Sequence, residues 1–140
     1  MKRAVLFFSA IFFSLSVFSL TGMDMPDPGT KTNSAMFTGY LSDVRCAESN
    51  NGVTSDGIDL KLHPEKHTVA CMKTLPCAMS GYGLFIKGDN GSYSFYRFDK
   101  KGINLSKDLL KKTARKSGIF VHVTGELKDN IIYVESIREM

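Results

Sequence analysis

The chain has 140 residues, with 18 Lys and Arg against 14 Asp and Glu, and a formal net charge of +4. That length allows no more than one small domain. Two of the positive charges lie in the first three residues, so a chain without its N-terminal segment would carry +2. Such a small excess does not predict a nucleic-acid or anionic-membrane partner.

Residues 1–22 have the pattern of a secretory signal peptide. Two positive residues precede an uncharged apolar run over 4–20, and cleavage is predicted after Ser19 or Gly22. We therefore predict a periplasmic or secreted protein that has no stable membrane span once this segment is removed. An uncleaved anchor is the alternative, because the run is close to the shortest length that spans a bilayer as a helix.

The segment 23–34 contains two prolines, one glycine and few apolar residues, which predicts a flexible lead-in. A single domain is predicted to occupy 35–140. Its first strand is expected over 35–44, because apolar residues recur there, and a turn-rich loop follows over 45–60.

A helix is predicted to begin at Pro64. His63 stands at its N-cap position, Glu65 lies in its first turn, and Pro76 is expected to end it. The loop and this helix would form a long insertion between the first two strands.

Four more strands and a second helix are predicted after the insertion. Turn sequences at 89–91 and 128–130 separate paired runs of apolar residues, and Ser106 is the predicted cap of a helix that Gly118 ends. The predicted elements are strands over 83–87, 93–98, 119–127 and 131–137, and a helix over 107–116. This order predicts a mainly β protein, a five-stranded OB-like barrel with a helix between strands 3 and 4. An open sheet packed by two helices is the alternative.

The cysteines of the chain are Cys46, Cys71 and Cys77. In an exported chain they allow one disulfide and one free thiol, and all three pairings are open. We favour Cys46–Cys77, because these residues flank the insertion, whose ends meet if the first two strands are neighbours. Such a bond would stabilise the domain by about 3–4 kcal/mol. The first hypothesis is therefore a binding or accessory module with a disulfide-stapled insertion and an unknown protein or small-molecule ligand.

A metal site is the second hypothesis. His67 and Cys71 are four residues apart, so they would share one face of the predicted helix, and His63 would extend that face by another turn. If Cys46 or Cys77 joined them from a loop, the set would supply soft and borderline ligands that suit Zn or Cu.

A thiol redox enzyme is the weakest of the three hypotheses. Cys71 or Cys77 would be the reactive residue, because an imidazole such as that of His67 promotes thiolate formation. The chain lacks G-x-S-x-G, a phosphate-binding glycine loop and a dinucleotide fingerprint, so no catalytic residue is assigned and an enzyme is not favoured.

The segment 39–46, Gly-Tyr-Leu-Ser-Asp-Val-Arg-Cys, is followed by His67-x3-Cys71, Cys77 and the aromatic strand 93–98. This pattern resembles small exported bacterial proteins of unassigned function with an OB-like fold. The resemblance covers most of the mature chain and implies a small barrel with a Cys/His-bearing insertion. It implies no activity. The aromatic strand also resembles the stacking surface of OB nucleic-acid binders, but core packing explains half of its rings, so nucleic acid is not predicted.

Overall fold

The computed structural model describes residues 33–140, so the predicted signal peptide and most of the lead-in lie outside the described residues. The strands are β1 (Ala35–Asp43), β2 (Tyr82–Lys87), β3 (Tyr93–Phe98), β4 (Phe120–Lys128) and β5 (Ile131–Glu139). The helices are α1 (Val44–Glu48), α2 (Val69–Met72), α3 (Leu75–Ser80) and α4 (Lys100–Lys112). Short 3₁₀ segments cover Ser49–Gly52 and Pro64–Lys66. Within residues 33–140, none of the helices is both long and apolar enough to cross a bilayer.

The five strands form one closed sheet in the order β1-β2-β3-β5-β4, with β4 returning to β1. Four of the strand pairs are antiparallel, and β3 and β5 pair in parallel. The prediction of a mainly β protein with five strands is confirmed. Because the sheet closes on itself, the alternative of an open sheet is wrong.

Strand β1 closes the sheet because it pairs with two neighbours. The first part of β1, up to Tyr40, pairs with β4, and the part from Tyr40 onward pairs with β2. Tyr40 itself lies opposite both Phe85 of β2 and Phe120 of β4. A Cβ on the preceding Gly39 would lie 2.1 Å from the carbonyl oxygen of Phe85. Only glycine allows the two backbones to approach so closely.

The main core fills the closed sheet and is covered by α4. Its fully buried members include Leu41, Leu84, Val121, Val123 and Ile132. Helix α4 begins earlier than predicted, because Asp99 rather than Ser106 is its cap and accepts a hydrogen bond from the N–H of Gly102. Ser106 is buried inside the helix, and its hydroxyl donates to the carbonyl of Gly102 at 2.8 Å. The predicted span of 107–116 is therefore wrong.

The insertion does not contain the single helix predicted from Pro64 to Pro76. It forms a 3₁₀ segment, then α2, then α3, and Pro76 lies in the first turn of α3 instead of ending a helix. His67 and Thr68 separate the first two segments with extended backbone, at ψ 128° and 143°.

Backbone hydrogen bonds to another part of the chain explain this break. The carbonyl of His67 accepts from the N–H of Gly118 at 3.2 Å, and the N–H of Val69 donates to the carbonyl of Lys116 at 2.8 Å. In a continuous helix, the carbonyl of His67 and the N–H of Val69 would form hydrogen bonds within the helix. Here these two backbone groups instead hold the insertion against the segment before β4.

Candidate metal centre

The candidate site is built around Asp43. This residue ends β1 and caps α1, and its Oδ1 accepts a hydrogen bond from the backbone N–H of Cys46 at 2.8 Å. Its Oδ2 lies 2.8 Å from Nε2 of His67, and neither side chain is more than 3% exposed. One carboxylate therefore positions both the helix that carries Cys46 and the ring of His67.

The carboxyl group of Asp43 is charged although it is buried. Burial raises its pKa, but hydrogen bonds from His67 and from the backbone N–H of Cys46 outweigh that effect, so the pKa lies below its usual value. An ionised carboxylate only accepts hydrogen bonds, and Nε2 of His67 is therefore the donor. In the neutral ring this leaves the lone pair on Nδ1, the nitrogen available to a metal ion.

The free side of His67 faces an accessible space. No residue within 33–140 makes a hydrogen bond to Nδ1 of His67. His67 and Cys71 line a cavity of about 220 Å³, whose other walls include Thr54 and Asp56. The cavity therefore lies beside two of the residues whose ligand atoms converge.

Cys71 is placed by the cap of α2. The hydroxyl oxygen of Thr68, the N-cap residue, accepts from the backbone N–H of Cys71 at 3.1 Å. Because His67 directly precedes this cap and is held to Gly118, the imidazole and the Cys71 thiol are positioned by one short, anchored segment.

Cys77 arrives from α3, where it is buried. The end of this helix is held to the start of α1, because the N–H of Val44 donates to the carbonyl of Gly81 at 3.0 Å. The N–H of Arg45 also donates to the hydroxyl oxygen of Ser80 at 3.0 Å. These bonds keep Cys77 beside Cys46.

The three cysteine sulfurs lie together as free thiols. Sγ of Cys46 is 3.6 Å from Sγ of Cys71 and 3.9 Å from Sγ of Cys77. A disulfide bond is about 2.05 Å long. Two thiolates bound at about 2.3 Å to one tetrahedral zinc ion lie about 3.8 Å apart. The observed spacing is too long for a disulfide bond and is compatible with sulfurs that share one ion.

Four residues present ligand atoms that all lie within 4.8 Å of one another: Asp43, Cys46, His67 and Cys71. Of the residues predicted as metal ligands, the structure thus brings together Cys46, His67 and Cys71, and Cys77 adds its sulfur next to Cys46. The predicted reason was wrong, because His67 lies outside α2 and shares no helix face with Cys71. Anchoring of the insertion, rather than helical spacing, brings them together.

His63 is the one predicted ligand outside this group. It stands at the predicted N-cap position, before Pro64, but its side chain is half exposed and Nδ1 lies 3.2 Å from a carboxylate oxygen of Glu65. The continuous helix that would have aligned His63 with His67 does not form.

No protein-family model, no curated protein and no solved structure matches this chain.

The thiols of Cys46 and Cys71 resist ionisation in the absence of a metal. Burial raises the pKa of Cys46 and that of Cys71, and the negative charge of Asp43 acts in the same direction on both. A metal ion that binds them must displace protons.

Asp43 is the site residue that the sequence analysis missed. The pattern Asp43-Val44-Arg45-Cys46, an Asp three residues before a helical N–H, is a helix-start signal that was assigned to the end of a strand. Its pairing with His67, which lies 24 positions away, has no local signal.

Proposed function

We propose that this chain is an exported metal-binding protein that holds a thiophilic cation, Zn(II) or Cu(I). Cys46, Cys71 and His67 are the proposed ligands, and Cys77 supplies the nearest additional sulfur. The observation that carries the proposal is the convergence of sulfur, imidazole and carboxylate atoms within 4.8 Å. Thiolate and imidazole are the ligands that zinc and copper(I) prefer.

Asp43 is proposed to act on the metal through His67. Its hydrogen bond to Nε2 fixes the orientation and tautomer of the ring and so leaves the lone pair of Nδ1 for the metal. Both of its oxygens already accept hydrogen bonds, one from His67 and one from the N–H of Cys46. This favours a supporting role over direct ligation.

The proposed role is to hold or hand on the ion rather than to catalyse a reaction. A catalytic zinc site has three protein ligands and keeps one position open for water or substrate. Here Cys77, whose sulfur lies 3.9 Å from that of Cys46, is the proposed fourth ligand beside Cys46, Cys71 and His67. The cavity beside His67 and Cys71 would serve entry and exit of the ion.

An OB-like barrel is the proposed fold class. The strand order β1-β2-β3-β5-β4, the parallel pairing of β3 with β5 and the helix between β3 and β4 support it. Export is proposed from the pattern of residues 1–22, and the bacterial origin of such a protein from the sequence resemblance.

The test is metal binding by the full chain, purified without an affinity tag and reduced under anaerobic conditions. Titration with Co(II) should give one equivalent bound, with the sulfur-to-cobalt charge-transfer absorption and the d–d bands of a tetrahedral site. His67→Ala should lower the affinity, whereas His63→Ala, the matched control outside the site, should not. Absence of charge-transfer absorption in the reduced wild-type chain would refute the proposal.

The stapled module is the second candidate function. The sulfurs of Cys46 and Cys77 lie 3.9 Å apart, so little movement is needed to join them. If protein isolated from the export compartment lacks metal and carries a Cys46–Cys77 bond, with a mass lower by two hydrogens, this candidate replaces the first.

A further inference from the structure

The three thiols differ in how far they lie from one another and in how open they are to solvent. Cys46 and Cys71 form the closer pair of the two measured, at 3.6 Å between sulfurs. Both are partly exposed, whereas Cys77 is only 6% exposed. Cys71 also lines the cavity that opens beside His67. An oxidant can therefore reach Cys71 through this cavity, and the sulfur of Cys46 lies 3.6 Å from that of Cys71.

We infer that Cys46 and Cys71 form a redox gate, a reversible disulfide that excludes the metal ion when it is closed. The gating role rests on the proposed metal site, whereas the choice of this pair rests only on distance and exposure. To close the bond, the two sulfurs must approach from 3.6 Å to about 2.05 Å.

The oxidant is a low-molecular-weight disulfide, for which oxidised glutathione serves as the probe. The sulfur of Cys71, after losing its proton, attacks one glutathione sulfur, the glutathione disulfide breaks, and the first glutathione leaves as a thiolate that takes up the proton. The deprotonated sulfur of Cys46 then attacks Cys71 in the mixed disulfide. This forms the Cys46–Cys71 bond and releases the second glutathione, which takes up the proton of Cys46. The two cysteines are oxidised and one glutathione disulfide is reduced to two thiols.

The closed gate removes two ligands at once. Thiolate sulfur is the metal ligand, and a disulfide sulfur has no comparable affinity. Only His67 and the buried Cys77 would remain, so the oxidised protein should lose its metal. Conversely, metal binding should slow oxidation, because an ion bound to both sulfurs protects them from glutathione disulfide.

The sequence makes the pairing easy to map, since trypsin separates the three cysteines. Cleavage after Arg45, Lys61, Lys66, Lys73 and Lys87 places Cys46 in 46–61, Cys71 in 67–73 and Cys77 in 74–87. The reduced full chain is treated with glutathione disulfide, alkylated, digested and analysed by mass spectrometry. We expect peptides 46–61 and 67–73 to be joined, with 74–87 alkylated. Any other linkage, or none, overturns the inference.

Two variants provide matched controls. Cys77→Ser should still form the bond between peptides 46–61 and 67–73, whereas Cys46→Ser should form no intramolecular bond between them. If Cys77→Ser abolishes the oxidation while its circular dichroism spectrum matches that of the wild type, the inferred pair is wrong. If a variant does not fold, mapping of the wild-type chain still decides the pairing.

The gating role is tested with zinc itself. At a free zinc concentration about ten times the dissociation constant, oxidation should slow roughly tenfold, because about one molecule in eleven is metal-free. The isolated oxidised protein should bind no zinc. If the reduced chain binds zinc but is oxidised at the same rate with and without it, the gate is refuted and the metal site stands. If the reduced chain binds no zinc, the proposed function fails, and the peptide map still decides the pair.

Discussion

Replacing Asp43 by Asn tests how the site is organised. Asn is as good a helix cap as Asp, so its side-chain oxygen can still accept from the N–H of Cys46 and keep α1 in place. The second carboxylate oxygen, Oδ2, which accepts from His67, is replaced by an NH2 group, which is a donor. Its NH2 group would then face Nε2–H of His67, which is also a donor in the wild-type arrangement.

His67 can avoid this clash by moving its proton from Nε2 to Nδ1. Nε2 would then accept from Asn, and Nδ1, the proposed ligand, would lose its lone pair to the proton. Loss of such a supporting carboxylate typically weakens metal binding 10–100-fold, which is about 1.4–2.7 kcal/mol of binding free energy. The metal-free protein should also exchange a charge-assisted hydrogen bond for a neutral one, at a cost of roughly 1 kcal/mol in unfolding free energy.

The assay is a competition titration of zinc against a chromophoric chelator, with the reduced Asp43→Asn chain and the wild type. Asp99→Asn is the matched control, because Asp99 also caps a helix, and its Oδ1 accepts from the N–H groups of Gly102 and Val134, both at 3.0 Å. It is not one of the residues that converge at the proposed centre. Asp99→Asn should alter the melting temperature without changing zinc affinity. Equal zinc affinity of Asp43→Asn and wild type would refute the role assigned to this carboxylate.

Three further predictions follow from the contacts. Cys46→Ser should lower the intensity of the cobalt charge-transfer absorption and weaken cobalt binding in the full chain, because Cys46 is a proposed ligand and its sulfur lies near both others; an unchanged intensity and affinity would contradict the ligand assignment. Burial raises the pKa of Tyr82 from its usual 10.0 to about 12, so the fold favours the neutral phenol. Its contribution, about 2–3 kcal/mol, is complete below pH 10 and is lost as the pH rises from 10 to 12; chemical denaturation at several pH values should show this loss in the wild type and a smaller one in Tyr82→Phe. Gly39→Ala should cost roughly 3 kcal/mol or more in unfolding free energy, because its Cβ would lie 2.1 Å from the carbonyl oxygen of Phe85. In Gly88→Ala the nearest contact is 3.2 Å to a surface Asn side chain, so this control should unfold at nearly the wild-type denaturant concentration.

The strands were predictable because their signals are local. The turn sequence at 89–91 separates two apolar runs, and the structure places β2 and β3 on either side of it. The same holds for the turn at 128–130 between β4 and β5. Predicted and observed strands therefore differ only at their ends.

Helix α4 shows where local signals mislead. The sequence Asp99-Lys-Lys-Gly102 has the composition of a turn, yet Gly102 lies in the first turn of the helix. A Cβ at this position would lie 2.5 Å from Val134 and 2.8 Å from Phe98. Glycine is required by close packing of the helix on the sheet, and that packing is a tertiary property. The apparent cap at Ser106 followed from the same error.

Most residues of the candidate site could be predicted from the sequence, but their arrangement could not. Cysteine and histidine are common metal ligands, so Cys46, Cys71 and His67 could be predicted as candidate ligands from the sequence. Their convergence depends on backbone bonds from the insertion to Lys116 and Gly118, about 50 positions further along the chain. The hydrophobic periodicity of the sequence does not predict such long-range contacts. The hydrogen bond between Asp43 and His67 could not be predicted for the same reason.

The account depends on one ion being held by sulfur and imidazole together. X-ray absorption at the zinc edge of the reduced, zinc-loaded full chain measures this directly. We expect two or three sulfur atoms at about 2.3 Å and imidazole nitrogen at about 2.0–2.1 Å, with the imidazole contribution lost in His67→Ala and kept in His63→Ala. A first shell made only of oxygen and nitrogen atoms would contradict the account.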